Sequence, residues 1–347
     1  MKISVISARE LDEGARARWL ALQRSNPALA SPCFCPEFTL GVAHACADVR
    51  IAVMEESNAI VGFFPFQARW TVGAPVGRLM SDHHGVICAP ATRWRWGDLL
   101  RAAGLSCWRF DALCAAQARD AVVRHGSSPG LDLSRGFAAY KEGRVEAHRH
   151  SMRRFERMAR KLEREMGPLR FVENARDAEV FDALLRLKSE QYRRTGSADV
   201  FKLRWPRALL EWMRHTDLPH FGSRLAAFYV DDKLAAASFG IRSDTVWHVW
   251  FPAHEPAMAR YSPGIQLLLL TAEEAARQGH RLLDLGRGDE AYKAIFADHE
   301  TPLAEGAFAR SAAASSVFVA AYRAARWLLS TPVGQQLRPW VRRARGL

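Results

Sequence analysis

The chain has 347 residues, of which 49% are hydrophobic and 25% are charged, and its formal net charge is +12. This length accommodates two domains of ordinary size, and this composition is typical of a globular protein rather than a disordered or fibrous one. No run of about eighteen uninterrupted apolar residues occurs, and the mixed polarity after Lys2 lacks the pattern of a signal peptide, so we expect a cytoplasmic protein.

The cysteines and the basic residues restrict the classes of partner. All six cysteines lie in the first third of the chain, with neither CxxC pairs nor a zinc-type spacing to histidines, so we expect unreactive thiols and no metal. Positive charge is concentrated in His148 to Arg164 and in the tail from Ala307 to Leu347, which predicts acidic partners. Because neither segment carries a zinc-finger or RNP pattern, specific DNA binding is not expected.

The first part of the chain, up to roughly residue 125, predicts one α/β unit of short strands and a helix. The predicted strands are Lys2 to Ile6, Val49 to Met54, Ala59 to Phe66, a stretch around Leu79 to Cys88, and Trp108 to Leu113, and the helix is Asp12 to Arg24. Asp82, His83 and His84 either line a site or form a structural turn.

A basic helix follows a segment rich in Gly, Ser and Pro. That segment, Gly126 to Arg135, predicts a loop between domains. Beyond it, apolar residues from Met152 to Met166 recur three and four apart, which predicts one buried face on a helix. Arg153 and the neighbouring arginines then form either a solvated face or a surface for a phosphate-bearing acceptor or donor, because arginine binds phosphate in a bidentate manner.

Two further helices precede the central sheet. The first spans Asp177 to Gln191 and continues toward Gly196, a residue suited to a helix C-terminus. The second lies within Phe201 to Trp212. Leu225 to Val230 and Leu234 to Arg242 then predict a β-hairpin, because two apolar runs flank the turn residues Asp231 and Asp232.

A strand, a helix, a strand and a polar loop come next. Val246 to Phe251 predicts the strand, and Ser262 and Pro263 predict a helix start, with Ser262 as the cap. Leu282 to Leu285 predicts a buried strand that ends in the loop from Gly286 to Lys293. Because a strand that feeds a helix and a second strand favours a parallel pair, we expect the helix start and the loop to face one crevice.

The residues around this crevice suit anion binding and acid–base chemistry. Backbone N–H groups from Gly264 and Ile265 can hold a pyrophosphate at the helix start, and Arg260 adds charge. His248 is either a structural histidine or a base, and Asp289 and Glu290 are either catalytic carboxylates or loop residues.

Three stretches resemble the GNAT acyltransferases, specifically their CelD-like branch with its FemABX-type relatives. They are LKSEQYRRTGSADVF from Leu187, WFPAHEPAMARYSPG from Trp250 and DLGRGDEAYK from Asp284. The resemblance, together with an internal repeat of the hairpin, implies tandem GNAT-like domains with an α/β fold and a mixed sheet. We expect an N-terminal diverged domain at residues 1–135, the acyltransferase domain at 136–306 and a basic amphipathic helical tail at 307–347.

The resemblance also implies roles for individual residues. Tyr292 would protonate the departing thiolate, and a backbone N–H of the strand at Val246 to Phe251 would polarise the carbonyl. Lys188, Tyr192 and Arg194 either contact the acceptor or pair locally. Lys293 would pair with Asp284, with Asp289 or with a phosphate.

The sequence thus favours an acyltransferase that uses acetyl-CoA, without a metal, to modify an amine or hydroxyl of a small-molecule or saccharide acceptor. The CelD-like resemblance implies a sugar or polysaccharide precursor. Two alternatives stay open: a FemABX-type aminoacyltransferase that uses aminoacyl-tRNA, and a non-catalytic scaffold subunit of an exopolysaccharide machine. The tail either packs on the domain or contacts an anionic membrane surface at the periphery of the inner membrane.

Overall fold

The structure, a computed structural model, describes residues 1–118 and 122–310 together with the isolated positions 320 and 324. Up to residue 132 the strands are β1 (Lys2–Ser7), β2 (Val49–Glu56), β3 (Ala59–Arg69), β4 (Val72–Ala74), β5 (Ile87–Cys88), β6 (Cys107–Cys114) and β7 (Val122–Asp132). The α-helices of this part are α1 (Glu13–Arg24), α2 (Pro36–Ala45) and α3 (Trp96–Ala102). Asp12 caps α1, because its carboxylate accepts a hydrogen bond from the N–H of Ala15 at 2.7 Å.

From residue 137 onward, longer helices alternate with longer strands. The helices are α4 (Phe137–Met166), α5 (Ala178–Thr195), α6 (Arg204–Arg214), α7 (Pro263–Arg277) and α8 (Lys293–Phe296). The strands are β8 (Leu169–Val172), β9 (Asp217–Leu218), β10 (Phe221–Val230), β11 (Lys233–Arg242), β12 (Val246–His254), β13 (Leu282–Asp284) and β14 (His299–Ala309). Gly196 ends α5 with φ of +67°, which confirms its predicted place at a helix C-terminus.

The chain forms two compact units. The first contains Met1–Leu29, Cys33–Ser127 and the described part of Pro302–Leu347, and the second contains Ala30–Pro32 and Ser128–Thr301. Each unit contributes helices together with both parallel and antiparallel strand pairs, which confirms the expected α/β class with a mixed sheet.

In the first unit the strand order is β1-β2-β3-β4-β6-β14, and β5 pairs with β3. The predicted strand at Lys2 to Ile6, the helix after Asp12 and the hairpin of β2 and β3 are confirmed. Aromatic rings fill the core of this unit, where Trp96 stacks on Trp108 at 5.0 Å and on Phe308 at 4.3 Å between ring centroids.

In the second unit the order is β7-β13-β12-β11-β10-β8. β12 and β13 are parallel, and the other neighbours in this sheet are antiparallel. The predicted hairpin across Asp231 and Asp232 is confirmed as β10 and β11. Helix α7 packs its buried face on this sheet through Leu267, Leu268 and Ala272. Of these, Leu268 and Ala272 belong to the apolar positions that recur three and four apart in the sequence and predict this face.

Three predicted elements are wrong. Gly126 to Arg135 is not a loop between domains, because Val122–Asp132 forms β7. A Cβ atom on Gly130 would lie 3.0 Å from the Leu283 carbonyl oxygen, so glycine lets the two strands approach closely at this position. Leu79 to Cys88 is not one strand, because it consists of a 3₁₀ turn (Arg78–Met80), an irregular segment and the two residues of β5.

The third wrong element is the helix predicted to begin after Glu305, because β14 continues to Ala309. Positions 320 and 324 of the predicted amphipathic helix are helical, and the rest of that helix and the basic tail beyond it lie outside the described residues. Within the described part of the chain, no helix combines the length and the apolar character that crossing a membrane requires.

Candidate active site

A cavity lies beside the part of β12 that has no partner from β13. The two parallel strands pair only from Val246 opposite Leu282 to His248 opposite Asp284. β12 then continues to His254, whereas β13 ends at Asp284, so the sheet opens between them. The cavity has a volume of about 350 Å³ and lies at the carboxyl end of this strand pair, where ligands of α/β sheets commonly bind.

Apolar side chains from β12 and from the first three turns of α7 form most of the cavity wall, and polar side chains lie among them. The apolar lining residues are Val249, Pro252, Ala253, Ala259, Pro263, Ile265, Leu267 and Leu268. The polar ones are Gln191, Ser238, His254, Ser262, Thr271, Glu290 and Tyr292. An apolar slot with a few polar groups is the usual form of a small-molecule site.

The start of α7 lines the cavity as predicted, but Ser262 does not cap the helix. Ser262 has φ of +56°, and its side chain makes no capping hydrogen bond. Its hydroxyl instead lies 3.5 Å from the Met158 sulfur on α4. Pro263 has no N–H, so Gly264 supplies the first backbone donor of the helix. Gly264 and Ile265 both line the cavity, although the Ile265 N–H already donates to the Ser262 carbonyl at 3.0 Å.

Arg260 is engaged in a network with α4. Its guanidinium lies 4.6 Å above the Tyr261 ring and donates to the Tyr261 hydroxyl at 2.5 Å. That hydroxyl donates to Glu165 at 2.6 Å, which holds the pKa of the Glu165 carboxyl below its usual range. Arg260 is not among the residues that line the cavity, so its contact with a phosphate remains a prediction.

Lys188 joins α5 to the end of β12. Its ammonium donates to the Pro252 carbonyl at 3.1 Å and to the Gln191 side chain at 3.3 Å, and it lies 5.3 Å from the centre of the Tyr192 ring. Burial lowers the pKa of Lys188 to about 8. Its bonding partners, Pro252 and Gln191, both line the cavity.

His254 is a cavity residue that the sequence analysis missed. A Cβ atom on Gly264 would lie 3.7 Å from His254 Nδ1, so the ring lies beside the first turn of α7. Burial, and then the positive charges of Arg194 and Lys188, lower the pKa of His254, so the ring is neutral at neutral pH. The one sequence signal was a histidine at the end of an apolar strand, immediately before Glu255 and Pro256.

Lys293 organises the loop that precedes it. Its ammonium is buried and donates to the carbonyls of Gly286 and Arg287 at 2.9 Å each. It also pairs with Glu290 at 2.9 Å, whereas we had considered Asp284 or Asp289 as its partner. Glu290 and Tyr292 line the cavity, and burial raises the pKa of Tyr292, but the exposed Asp289 is not among the lining residues.

His248 lies at the base of the strand pair rather than in the cavity. Its ring is fully buried, with Nδ1 3.2 Å from the Asp284 carboxylate. Asp284 also accepts hydrogen bonds from the Ser128 hydroxyl at 2.5 Å and from the Gly286 N–H at 2.9 Å. This arrangement ties β7, β12 and β13 together at the point where the loop begins, and it leaves a bound acceptor no direct route to the His248 ring.

The remaining candidates do not line the cavity. Arg153 is exposed on α4. In the first unit, the His84 ring accepts a hydrogen bond from the Ala112 N–H at 3.0 Å, and His83 is buried. The hydrogen bond from Ala112 gives His84 a packing role within its unit.

Comparison with known proteins places the second unit in a family of domains. Residues 148–294 match the family model described as an acetyltransferase (GNAT) domain. None of the curated protein sequences compared with the chain matches it.

Two solved structures share the fold over nearly the whole chain, and a third is similar at a lower score. The C-terminal domain of a protein assigned as a lysylphosphatidylglycerol synthetase of Agrobacterium fabrum has a TM-score of 0.53 at 13% identity, with 92% of this chain and 97% of that chain covered. FemX has a TM-score of 0.57 at 9% identity, with 89% and 96% covered. A tandem GNAT protein from the clavulanic acid biosynthesis pathway has a TM-score of 0.48 at 14% identity, with 89% and 98% covered. The family match at residues 148–294 thus indicates a GNAT acetyltransferase domain within the second unit.

Proposed function

We propose that the protein transfers an acyl group, acetyl from acetyl-CoA in the first instance, to an amine or hydroxyl of a sugar or polysaccharide precursor. The observation that carries this proposal is the cavity between the unpaired part of β12 and the first turns of α7. Its apolar wall suits the arm of a thioester, and the Gly264 N–H at the start of α7 suits a phosphate.

The polar residues of the cavity suit the individual steps of this reaction. The nucleophile attacks the thioester carbonyl carbon, the C–S bond breaks, and the thiolate takes up a proton. Because its pKa is raised, Tyr292 keeps its proton at neutral pH and is available as the acid. His254 and Glu290, which line the same cavity, are available to accept the proton of the nucleophile.

Binding of the donor tests the proposal directly. Acetyl-CoA should raise the melting temperature of the protein, and isothermal titration should give a saturable 1:1 isotherm. Gly264→Leu should abolish both signals, because the new side chain occupies the cavity beside the helix start. Gly143→Leu is the matched control, since Gly143 also lies in a helix and a Cβ atom there meets nothing within 4 Å. If wild type shows no thermal shift at millimolar acetyl-CoA, the thioester donor is wrong.

A second candidate function is aminoacyl transfer from aminoacyl-tRNA. The similarity to FemX over 89% of this chain favours it, because FemABX-type proteins were the family alternative that the sequence left open. Binding and transfer assays with each donor distinguish the two candidate functions. If acetyl-CoA gives no thermal shift while an aminoacyl-tRNA binds and loses its aminoacyl group to an added amine, the second candidate replaces the first.

The identity of the acceptor and the location of the protein belong to the same proposal. A panel of amino sugars and nucleotide sugars, assayed for release of free CoA thiol, tests the saccharide acceptor. The cytoplasmic location and the membrane contact of the basic tail remain predictions.

A further inference from the structure

The turn between β3 and β4 holds a tryptophan in a backbone conformation that tryptophan rarely adopts. β3 and β4 pair with Arg69 opposite Val72, so Trp70 and Thr71 form a two-residue hairpin loop. Trp70 has φ of +60°, and Thr71 is not among the residues with positive φ. A positive φ at the first loop position alone is the pattern of a type II′ turn, where glycine normally occupies that position.

The tryptophan side chain contributes little to the packing of its own unit. Trp70 is 91% exposed and Val72 is 42% exposed. The backbone of the turn is nevertheless held in place, because the Ser106 N–H donates to the Thr71 carbonyl at 2.8 Å and the Ser106 hydroxyl to Thr71 Oγ1 at 2.9 Å. The indole is thus presented to solvent from an anchored turn.

Neither folding nor local conformation explains a tryptophan at this position. An exposed indole gains no burial in the folded unit, and a bulky residue with positive φ is strained. Strain of this kind is maintained where a side chain has a function outside its own fold. We propose that the β3–β4 turn is a membrane-contact site, at which Trp70 enters the interface of an anionic lipid bilayer.

The chemistry of the turn favours lipid over a protein partner. Tryptophan prefers the boundary between apolar chains and polar headgroups, where its ring is buried and its N–H stays hydrated. Arg69 is exposed, forms no ion pair with any residue in 1–118 or 122–310, and can meet anionic headgroups. No acidic residue occurs from Gln67 to Val72, and the net charge of +12 attracts the chain to such a surface.

A tryptophan that anchors a protein–protein interface is commonly set in the centre of a larger contact patch. In this turn the exposed large apolar side chains are those of Trp70 and Val72 alone. The turn therefore presents a small protruding apolar group, which suits insertion into a lipid bilayer. It does not present the broad flat patch that suits a protein partner.

Quenching by brominated phosphatidylglycerol tests whether this indole enters the bilayer. Full-length protein is mixed with vesicles of phosphatidylcholine and brominated phosphatidylglycerol, and tryptophan fluorescence is measured for wild type, Trp70→Phe and the control Trp94→Phe. We expect quenching in wild type and in Trp94→Phe and its loss in Trp70→Phe. Equal quenching in all three proteins, or binding without quenching, overturns the proposal, because contact would then occur through another segment such as the tail.

Affinity and stability provide an independent readout. Trp70→Ala should weaken co-sedimentation with anionic vesicles about tenfold or more, the loss expected when a large apolar side chain no longer partitions. Leu79→Ala, at a residue that is 48% exposed in the same unit, should leave binding unchanged. Trp70→Gly should weaken binding equally but raise the melting temperature, since glycine relieves the positive φ. If binding is unaffected in both Trp70 variants, or if wild type binds a protein through Trp70 and no vesicles, the lipid assignment is wrong.

Discussion

At the scale of single residues, three titratable groups, two of them buried and one half-buried, decide how the second unit responds to pH and to substitution. His280 is buried against Trp247, with ring centroids 5.9 Å apart. Lys293 holds two loop carbonyls, and Tyr292 lines the cavity. The three side chains lie on the same short stretch that follows α7, and each supports one prediction.

Because His280 is buried, we expect the free energy of unfolding to decrease in acid. Burial, with Arg242 and Arg224 nearby, lowers the pKa of His280 from 6.5 to about 4. The unfolded chain therefore takes up this proton first, so the free energy of unfolding should decrease as the pH falls from about 6.5 to about 4, by roughly 3 kcal/mol in all. Above pH 6.5 this histidine should contribute no pH dependence.

Urea denaturation at several pH values measures this effect. His280→Gln should flatten the pH dependence between pH 6.5 and 4, whereas His150→Gln, at an exposed histidine on α4, should leave it unchanged. An unchanged slope in His280→Gln would mean that other groups carry the acid sensitivity.

Loss of the Lys293 ammonium should destabilise the protein more than loss of an ordinary surface ion pair. Lys293→Met removes the donor to two carbonyls and to Glu290, so we expect a loss of about 1–3 kcal/mol in the free energy of unfolding. Lys161→Met is the matched control, because Lys161 pairs with Glu165 at an exposed site, where such a pair contributes at most about 1 kcal/mol. Equal small losses would show that Lys293 does not hold the loop.

Tyr292 predicts a kinetic effect that is separate from stability. Tyr292→Phe keeps the ring and removes the proton, so kcat should fall about 10²-fold or more at nearly unchanged KM. Asp289→Asn should instead change the acidic limb of the pH profile if this carboxylate activates the nucleophile. Tyr229→Phe, at a half-buried tyrosine on β10, is the control. Wild-type turnover in both loop variants would remove the loop from the chemistry.

At the scale of elements, α4 packs on α7 with one face and presents basic side chains on the other. The Gln266 side chain donates to the Phe155 carbonyl at 2.9 Å, which joins the two helices near the cavity. On the exposed face, Lys161 pairs with an acid, whereas Arg153, Arg154 and Arg157 have no ion-pair partner among the described residues. An arginine surface of this kind suits a polyphosphate.

Salt dependence tests this helix face. If these arginines bind the phosphates of the donor, Arg153→Gln combined with Arg157→Gln should weaken acetyl-CoA binding and reduce its dependence on salt concentration. Arg186→Gln combined with Arg207→Gln makes the same change in net charge on α5 and α6, and it should leave the affinity unchanged. Identical affinities and salt slopes in both double variants would leave the α4 arginines as a solvated face.

At the scale of the whole molecule, the two compact units share a plan of α/β layers but differ in the groups they offer. The second unit contains the opened strand pair and the cavity beside α7. The first unit has the exposed turn at Trp70 and a core of stacked aromatic rings. The proposed chemistry and the proposed membrane contact thus concern different units of one chain.

Local sequence was sufficient to predict an element where its hydrophobic periodicity agrees with the turn or cap residues at its ends. The hairpin across Asp231 and Asp232, the apolar face of α7, the C-terminal Gly196 of α5 and the polar loop after β13 follow from side-chain periodicity and turn chemistry, which act over a few residues. The resemblance of three separated stretches added the GNAT fold, and the domain match at residues 148–294 confirmed it.

Only the tertiary structure decided the features that depend on distant parts of the chain. Gly130 to Asp132 lie in a strand because β13, about 150 residues later, pairs with them, and this pairing outweighs the loop-like composition. His254 became a candidate because it lines the cavity, where burial and the charges of α5 lower the pKa of its ring. The Trp70 turn follows from the register of β3 and β4, and the cavity follows from the point at which β12 and β13 separate. None of these is encoded in a local pattern, since each depends on contacts between elements.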